Sequence, residues 1–275
     1  MKKLRGQVAL ITGAASGLGA GLARACAAAG MQVVVSDVRE AALARVAGAI
    51  AEAGGAVVSQ VADVLDSAAT EALVASTYER CGGLDLLINN AGVMTVSPLA
   101  ESTDEDWSWL LGVNLLGAVR VVSAAVPRMR VAGGEAHIVN VASMSGLAPA
   151  LDPPVGTYAA SKSALITYSE VLAHELEADG IAVSVACPGG MATEIFEAER
   201  HRPERHRPAG FERQPAQGTD ILQGMMSPDE AARRILDGIR HGRFYIFTHP
   251  DQWERLQAHW DRLRSDFEAA RDAAD

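Results

Sequence analysis

The chain predicts a doubly wound α/β fold of about seven parallel strands with helices on both faces. Three observations carry that expectation. Stretches of strand length alternate with alanine-rich helical stretches along almost the whole sequence. Most of the strand stretches are apolar throughout, as strands covered on both faces are. Residues with unusual chemistry sit just after strands, where open parallel sheets bind ligands.

The elements follow in order. QVALIT at 7–12 reads as a strand, and GLGAGLARACAAAG at 17–30 as a helix stopped by glycine. QVVVSD (32–37) is a β-branched strand, and EAALARVAGAIAEAG (40–54) a second helix ending in glycine. AVVSQVAD (56–63) is a strand, and SAATEALVASTYERCG (67–82) a helix opening on a good N-cap. LDLLINN (84–90) is a strand, followed by a long helical region from Asp104 to about Met129. AHIVNVAS (136–143) and IAVSVACPG (181–189) are strands on either side of a helix at 158–179. After an irregular stretch come a helix at 228–240, a short strand RFYIF (243–247) and a last helix at about 251–270.

With 275 residues, 49% of them hydrophobic, the chain can bury a sizeable core. No repeat or mid-chain linker marks a boundary, so one domain over 1–275 is expected. Lys+Arg 24 against Asp+Glu 34 gives a net charge of −10, which argues against nucleic acid or an anionic membrane as partner. Cys26, Cys81 and Cys187 are odd in number and form no C-x-x-C pair. They read as free thiols in a reducing compartment. The opening apolar run, VALI, is too short for a signal peptide. No stretch was expected to reach the ~20 apolar residues of a membrane span, so a soluble cytoplasmic protein is expected. The scattered histidines suggest no metal site.

TGAASGLG at 12–19 lies between the first strand and first helix. Gly13 can take a turn closed to other residues, and Gly17 and Gly19 allow close approach of a diphosphate to the helix N-terminus. Ser16 and Leu18 complete that turn. Asp37 ends the second strand, where a carboxylate accepts from ribose hydroxyls and repels a 2′-phosphate. The alternative is a turn or N-cap aspartate. Arg39 nearby could hold a 2′-phosphate, yet Asp37 comes first after the strand, so NAD is favoured over NADP. Asp63 follows the third strand, where an adenine edge could lie. Asn89, Asn90, Ala91 and Gly92 close the fourth. Asn114 is a poor helix-interior residue, either a satisfied core amide or a kink. Ser143 comes directly off the fifth strand. Tyr158 and Lys162 are spaced i, i+4 and share a helix face. Taken alone, such a pair is more often a half-buried tyrosine beside a surface lysine.

Together these residues resemble the short-chain dehydrogenase/reductases, in their compact single-domain, Rossmann-like branch. The resemblance rests on T-G-x-x-x-G-x-G at 12–19, Asp37, the Asp63 and Val64 pair, N-N-A-G at 89–92, Asn114, Ser143, Y-x-x-x-K at 158–162, and PGGMAT at 188–193. It spans about residues 5–250. It implies hydride transfer between a nicotinamide and a secondary alcohol or ketone. Tyr158 would be the acid/base. A free phenol near pKa 10 must fall by about three units, roughly 4 kcal/mol, to serve as a base at neutral pH. An ammonium about 4 Å away is of that order, so Lys162 is expected to lower Tyr158. By resemblance Lys162 also holds the nicotinamide ribose, and Asn114 holds a relay water. Ser143 would fix the substrate oxygen. Thr193 and the backbone of Pro188, Gly189 and Met191 would anchor the carboxamide. A homo-tetramer or dimer is implied, with the 158–179 helix at an interface. The proline-rich GLAPALDPPVG (146–156) is slightly longer than the family pattern and makes Ser145 a rival, but Ser143 is kept because it comes directly off the strand. Met191 stands where the family often has a β-branched residue.

Residues 194–226 have little periodicity and fall where the family carries a substrate lid. Its cluster of Arg200, His201, Arg202, Arg205, His206 and Arg207 could attract an anionic substrate. A solvated mobile loop, its charges offset by Glu197, Glu199, Glu204 and Glu212, is the favoured reading. Ile195, Phe196, Phe211, Ile221, Leu222, Met225 and Met226 suggest an apolar cover over a bulky small-molecule substrate. The competing functional class is a non-catalytic NAD-binding redox regulator, which would have no need of Ser143, Tyr158 and Lys162 together.

Overall fold

The computed structural model describes residues 1, 3–149, 153–211 and 224–273. Seven parallel strands form one sheet in the order β3-β2-β1-β4-β5-β6-β7. They are β1 (Val8–Thr12), β2 (Gln32–Asp37), β3 (Val57–Val61), β4 (Leu86–Asn89), β5 (Ala136–Val141), β6 (Ile181–Cys187) and β7 (Tyr245–Phe247). The order reverses between β1 and β4, and a crevice opens there above the strand ends.

The apolar strands serve two cores at once, because successive side chains point to opposite faces. Ala9 and Ile11 of β1 join Val33 and Val35 of β2 under one helical layer. That layer is α1 (Gly17–Ala28), α2 (Glu40–Glu52) and α8 (Pro228–Arg240). Leu10, Val34, Leu87 and Ile138 face the other way. They meet α3 (Ser67–Cys81), α5 (Ala118–Ala132) and α7 (Gly156–Leu176). The edge strand β3 departs from the pattern, with Val61 half exposed.

The expected elements are all present, most of them shorter by a residue or two at the ends. The cap of α3 is Asp66 rather than Ser67: its Oδ1 accepts from Ala68 N at 2.8 Å and Ala69 N at 3.2 Å. The region expected as one helix is α4 (Asp104–Leu111), a π-helical turn over Gly112–Gly117, and then α5. A capping box of Thr103 and Asp106 starts it. The prolines after β5 leave room for a short α6 (Met144–Leu147), and part of that segment, 150–152, lies outside the described residues.

One sequence expectation needs correction. The Asp104–Ala132 rod is long and apolar enough to cross a membrane, with a mean hydropathy of 1.7 in its richest stretch, and 61% of that stretch is buried inside the protein. Its apolar character comes from packing on both sides: Trp109 and Leu110 below the crevice, Val121, Ala125 and Met129 under the sheet. The chain closes with α9 (Trp253–Asp272), of which Leu256 is buried while Trp260, Leu263 and Phe267 are exposed.

Candidate active site

The crevice at the β1–β4 reversal has a volume of about 590 Å³. Its walls bring together every predicted cofactor residue: Gly13, Ser16, Gly17, Leu18, Gly19, Asp37, Asp63, Val64, Asn90, Ala91, Gly92, Tyr158, Lys162, Pro188, Gly189, Met191 and Thr193. Ser143 lines it as well, whereas Asn114 stands behind the wall.

The glycine turn is set by close contacts. Gly13 and Gly17 have φ of 64° and 51°, the left-handed region open to glycine. A Cβ on Gly19 would lie 2.2 Å from Gly13 O. Asn90 braces the turn from β4: its Nδ2 donates to Thr12 O and Gly13 O, both at 3.0 Å. Asn89 points elsewhere, donating to Asn140 Oδ1 at 2.9 Å within the sheet. Ser16 precedes α1 without a side-chain cap, so the first-turn amides of α1 meet the crevice unclaimed by a cap. Such an N-terminus favours an anion, and a dinucleotide diphosphate fits it.

Asp37 is not the N-cap of α2; Arg39 takes that position with no side-chain cap. The Asp37 carboxylate instead accepts from Ala15 N at 3.1 Å and from Arg39 N at 3.0 Å and Nε at 3.1 Å. Arg39 also donates to Ser16 Oγ at 2.7 Å and Glu194 Oε2 at 3.2 Å. Its guanidinium therefore ties the glycine turn to the segment after β6. Across the crevice Arg205 faces Asp63 at 3.7 Å.

At the other end Tyr158, Lys162 and Ser143 are all buried. Ser143 leaves β5 extended, its Oγ accepting from Ser145 N at 3.1 Å, and Ser143 is the hydroxyl set against the Tyr158 phenol. Lys162 Nζ donates to Val141 O at 2.8 Å and lies 5.7 Å from the Tyr158 ring centre. The expectation that Lys162 lowers Tyr158 is not met by the protein's own groups. Burial dominates and pushes Tyr158 up to about 12, with the Ser143 hydrogen bond opposing it. The same burial pulls Lys162 down to about 8.

Asn114 is both of the things its sequence position allowed, a satisfied amide and the centre of a helix irregularity. It accepts from Val93 N at 2.8 Å and donates to Val93 O and Ser161 Oγ, both at 2.9 Å. It thus fixes the strand exit beside Gly92, where a Cβ would fall 3.3 Å from Lys162 Nζ. A π turn supplies the extra residue that aims this amide off the helix axis.

Over its described residues the basic segment after β6 is built into turns, and Arg202 within it is closed to solvent while Arg205 is exposed. Arg202 is 1% exposed, pairs with Asp106 at 2.6 Å, and lies over the rings of Trp109 and Phe211. Its turns, Glu194–His201 and Glu204–His206, cover the crevice with Ile195, Phe196 and Ala198. Met225 lines the crevice too, and Met226 pairs with Met191 in a short parallel bridge. Glu212, Ile221 and Leu222 lie outside the described residues.

The sequence reading missed three contributors from the C-terminal segment. His249 carries no sequence signal of its own. It is buried after β7, where Nδ1 accepts from Gly189 N and Nε2 meets Gly190 O, both at 3.0 Å. It braces the loop expected to carry a carboxamide. Gln252 and Arg255 line the crevice itself. The only signal for them was their position after the last strand, which any C-terminal helix shares.

The family described as short chain dehydrogenase matches residues 7–204. A C alpha-dehydrogenase of Sphingobium sp. (strain NBRC 103272 / SYK-6) is 36% identical over 96% of this chain and 87% of its own. A short-chain dehydrogenase/reductase from Burkholderia phymatum, solved in complex with NAD, is 36% identical, covers 97% of each chain and superposes with a TM-score of 0.90. A metagenomic short-chain oxidoreductase solved with NADP is 28% identical over 86% of this chain and 92% of its own, with a TM-score of 0.69. Fold, glycine turn and family match agree, and the chain belongs to the short-chain dehydrogenase/reductase family, as an oxidoreductase.

Proposed function

We propose that the protein transfers hydride between NAD and a bulky, apolar secondary alcohol or its ketone, with Tyr158 as the acid/base. One observation carries the reading. A phenol, an ammonium and a hydroxyl are buried together at the end of a crevice whose other end holds an uncapped helix N-terminus and a ribose-height carboxylate. NAD, when bound, supplies the hydride acceptor and a positive charge.

The chain's own residues do the rest. The first-turn amides of α1 hold the diphosphate. Asp37 faces the adenosine ribose, and its charge disfavours a 2′-phosphate. Arg39 is already engaged by Asp37, Ser16 and Glu194, which supports NAD over NADP. Lys162 holds the nicotinamide ribose. Pro188, Gly189, Met191 and Thr193 hold the carboxamide, with His249 bracing that loop from behind. Ser143 Oγ fixes the substrate oxygen beside the Tyr158 hydroxyl. Tyr158 donates its proton to a ketone or takes one from an alcohol. Its raised pKa keeps it protonated at neutral pH, ready to donate, so oxidation should accelerate with rising pH while reduction should not. Asn114 positions the Val93 strand exit and, in this proposal, stands next to the proton path through Lys162.

Met94, Trp109, Val113, Val155, Ile195 and Phe196 give the substrate side an apolar wall. The proposal includes a cytoplasmic homo-dimer or tetramer formed through the outer face of α7, where Val171 is 53% exposed. The test is Tyr158→Phe assayed against a secondary-alcohol panel, with NAD and NADP side by side. We expect cofactor binding unchanged and turnover lower by about 10²–10⁴. Undiminished turnover would remove Tyr158 from the mechanism. NAD binding without turnover of any alcohol or ketone by the wild type would favour the redox regulator.

A further inference from the structure

We propose that Arg255, with the Gln252 amide beside it, is the anchor for a carboxylate at the far end of the substrate. This specificity rests on the hydride-transfer reading above. It narrows the substrate from a bulky secondary alcohol to a bulky hydroxy acid or keto acid.

The cations that line the crevice are accounted for one by one. Arg39 is matched by Asp37 and Glu194. Lys162 sits under Tyr158 and donates to Val141 O. Arg255 has no acidic partner among the described residues. One of its Nη atoms donates to the Ala148 carbonyl, and its Nε is buried without an acceptor. Gln252 lies one helical turn earlier. Its side-chain Oε1 is buried and lacks a donor, which a carboxylate cannot supply, so only the NH2 end of that side chain bears on the ligand. Buried polar groups are nearly always satisfied, so the unsatisfied Arg255 donor on a residue of the crevice wall points to a missing acceptor.

The surroundings say what that partner is. The carboxylates lining the crevice are Asp37, Asp63 and Glu194. Asp37 and Glu194 are claimed by Arg39, and Asp63 faces Arg205. None of them pairs with Arg255. Arg255 lines the same crevice as Ser143, Met144, Ser145 and Met225. A guanidinium in partly apolar surroundings is poorly hydrated, and burial pulls its pKa below the ordinary value. A carboxylate accepts from the guanidinium donors that Ala148 leaves free, and the Gln252 NH2 group is a further donor on the same crevice. In a protein of net charge −10 an arginine on the crevice wall without an acidic partner among the described residues is a local exception.

The test uses a ladder of (ω−1)-hydroxy acids from about six to twelve carbons, each beside its methyl ester, because chain length then finds the span between Tyr158 and Arg255. At the best length the acid should have a KM about tenfold or more below that of its ester. Arg255→Gln should raise the KM of the acid by about tenfold to a hundredfold and leave the ester within threefold. Arg255→Lys should recover part of the loss, since it keeps the charge but not the fork. Equal losses for acid and ester would make Arg255 only a strap on Ala148 and overturn the proposal. So would a ladder in which no acid outperforms its ester. Calorimetric binding of dodecanoate to wild type and Arg255→Gln needs no turnover. Tenfold weaker binding to the variant supports the anchor even if Tyr158 chemistry fails, and equal binding rejects it.

Discussion

Two arginine–aspartate pairs flank the same crevice and are built in opposite ways. Arg39 and Asp37 meet at 3.1 Å on the rim, with the arginine side chain 23% exposed and shared among three partners. Arg202 and Asp106 meet at 2.6 Å inside, with the arginine 1% exposed and held between Trp109 and Phe211. In the rim pair only the arginine reaches solvent: the Asp37 side chain is buried, and it keeps the Ala15 and Arg39 backbone amides as donors if the guanidinium swings away for a ligand. The inner pair has been taken out of water, so losing one partner strands the other. What separates the two pairs is the depth of the arginine, 23% exposed in one and 1% in the other, since both aspartates are buried.

The comparison breaks most sharply at Arg202. Arg202→Ala leaves Asp106 buried and unpaired, and should cost about 3–5 kcal/mol of unfolding free energy by urea titration. Removing both charges, as Arg202→Met with Asp106→Asn, should restore much of that, since Asp106 also caps α4 and asparagine keeps the acceptor. A single substitution costing under about 1 kcal/mol would place the pair with the surface bridges.

His137 extends the argument from charge pairs to a lone titrating group. It is 1% exposed on β5, with Nε2 2.7 Å from Ser184 Oγ. The Ser184 hydroxyl donates to Arg243 O, so the ring must donate from Nε2, and Nδ1 is left without a partner. Burial holds its pKa at about 4, below the ordinary 6.5. Between those values the unfolded chain binds more protons than the folded one, so stability rises with pH across that window. On acidification from pH 6.5 to 4 the fold should lose up to about 3 kcal/mol from this residue. His137→Gln, which can still donate to Ser184, should flatten the slope. An unchanged slope would assign it to other groups.

How much of this was legible follows the same division by depth. The strand ends were readable because their signals are local. Glycines at 13, 17 and 19, the acid at 37 and the i, i+4 pair at 158 and 162 each announce a backbone or spacing requirement within a few residues. The π turn at Asn114 was half readable, since an asparagine inside a helix asks for a reason but does not say which. Arg202, His249 and Arg255 were not readable as such. Their partners Asp106, Gly189 and Ala148 lie 60 to 107 residues away, and an arginine among arginines looks solvated until the fold supplies an aspartate and two rings. The sign of the Tyr158 shift was misjudged for a related reason. Spacing reveals the neighbouring ammonium, but burial, the larger effect, is a property of the assembled crevice.

Gly19→Ala tests the turn on which the rim pair depends. The new Cβ would meet Gly13 O at 2.2 Å and Asn90 Nδ2 at 2.5 Å, so backbone must move. A loss of about 1–3 kcal/mol is expected. NAD binding by calorimetry should fall with it, because the same shift displaces the first-turn amides of α1. Intact affinity in a destabilised protein would separate the turn from cofactor recognition.

The smallest effect is the most informative about the rim. Arg39→Ala removes partners of Asp37, Ser16 and Glu194 at once, yet the buried Asp37 carboxylate keeps the Ala15 and residue-39 backbone amides as donors, and the stability change should stay at about 1 kcal/mol. The ligand should notice what the fold does not. With Arg39 gone, the Asp37 carboxylate faces the adenosine ribose unneutralised. Its bonds to ribose hydroxyls should strengthen and its repulsion of a 2′-phosphate should grow. The ratio of NAD to NADP affinity, measured by titration of the same preparation, should therefore rise by about tenfold, or 1.4 kcal/mol. A fall in that ratio would mean that Arg39, and not Asp37, reads the ribose, and that NADP is the cofactor this crevice was built to hold.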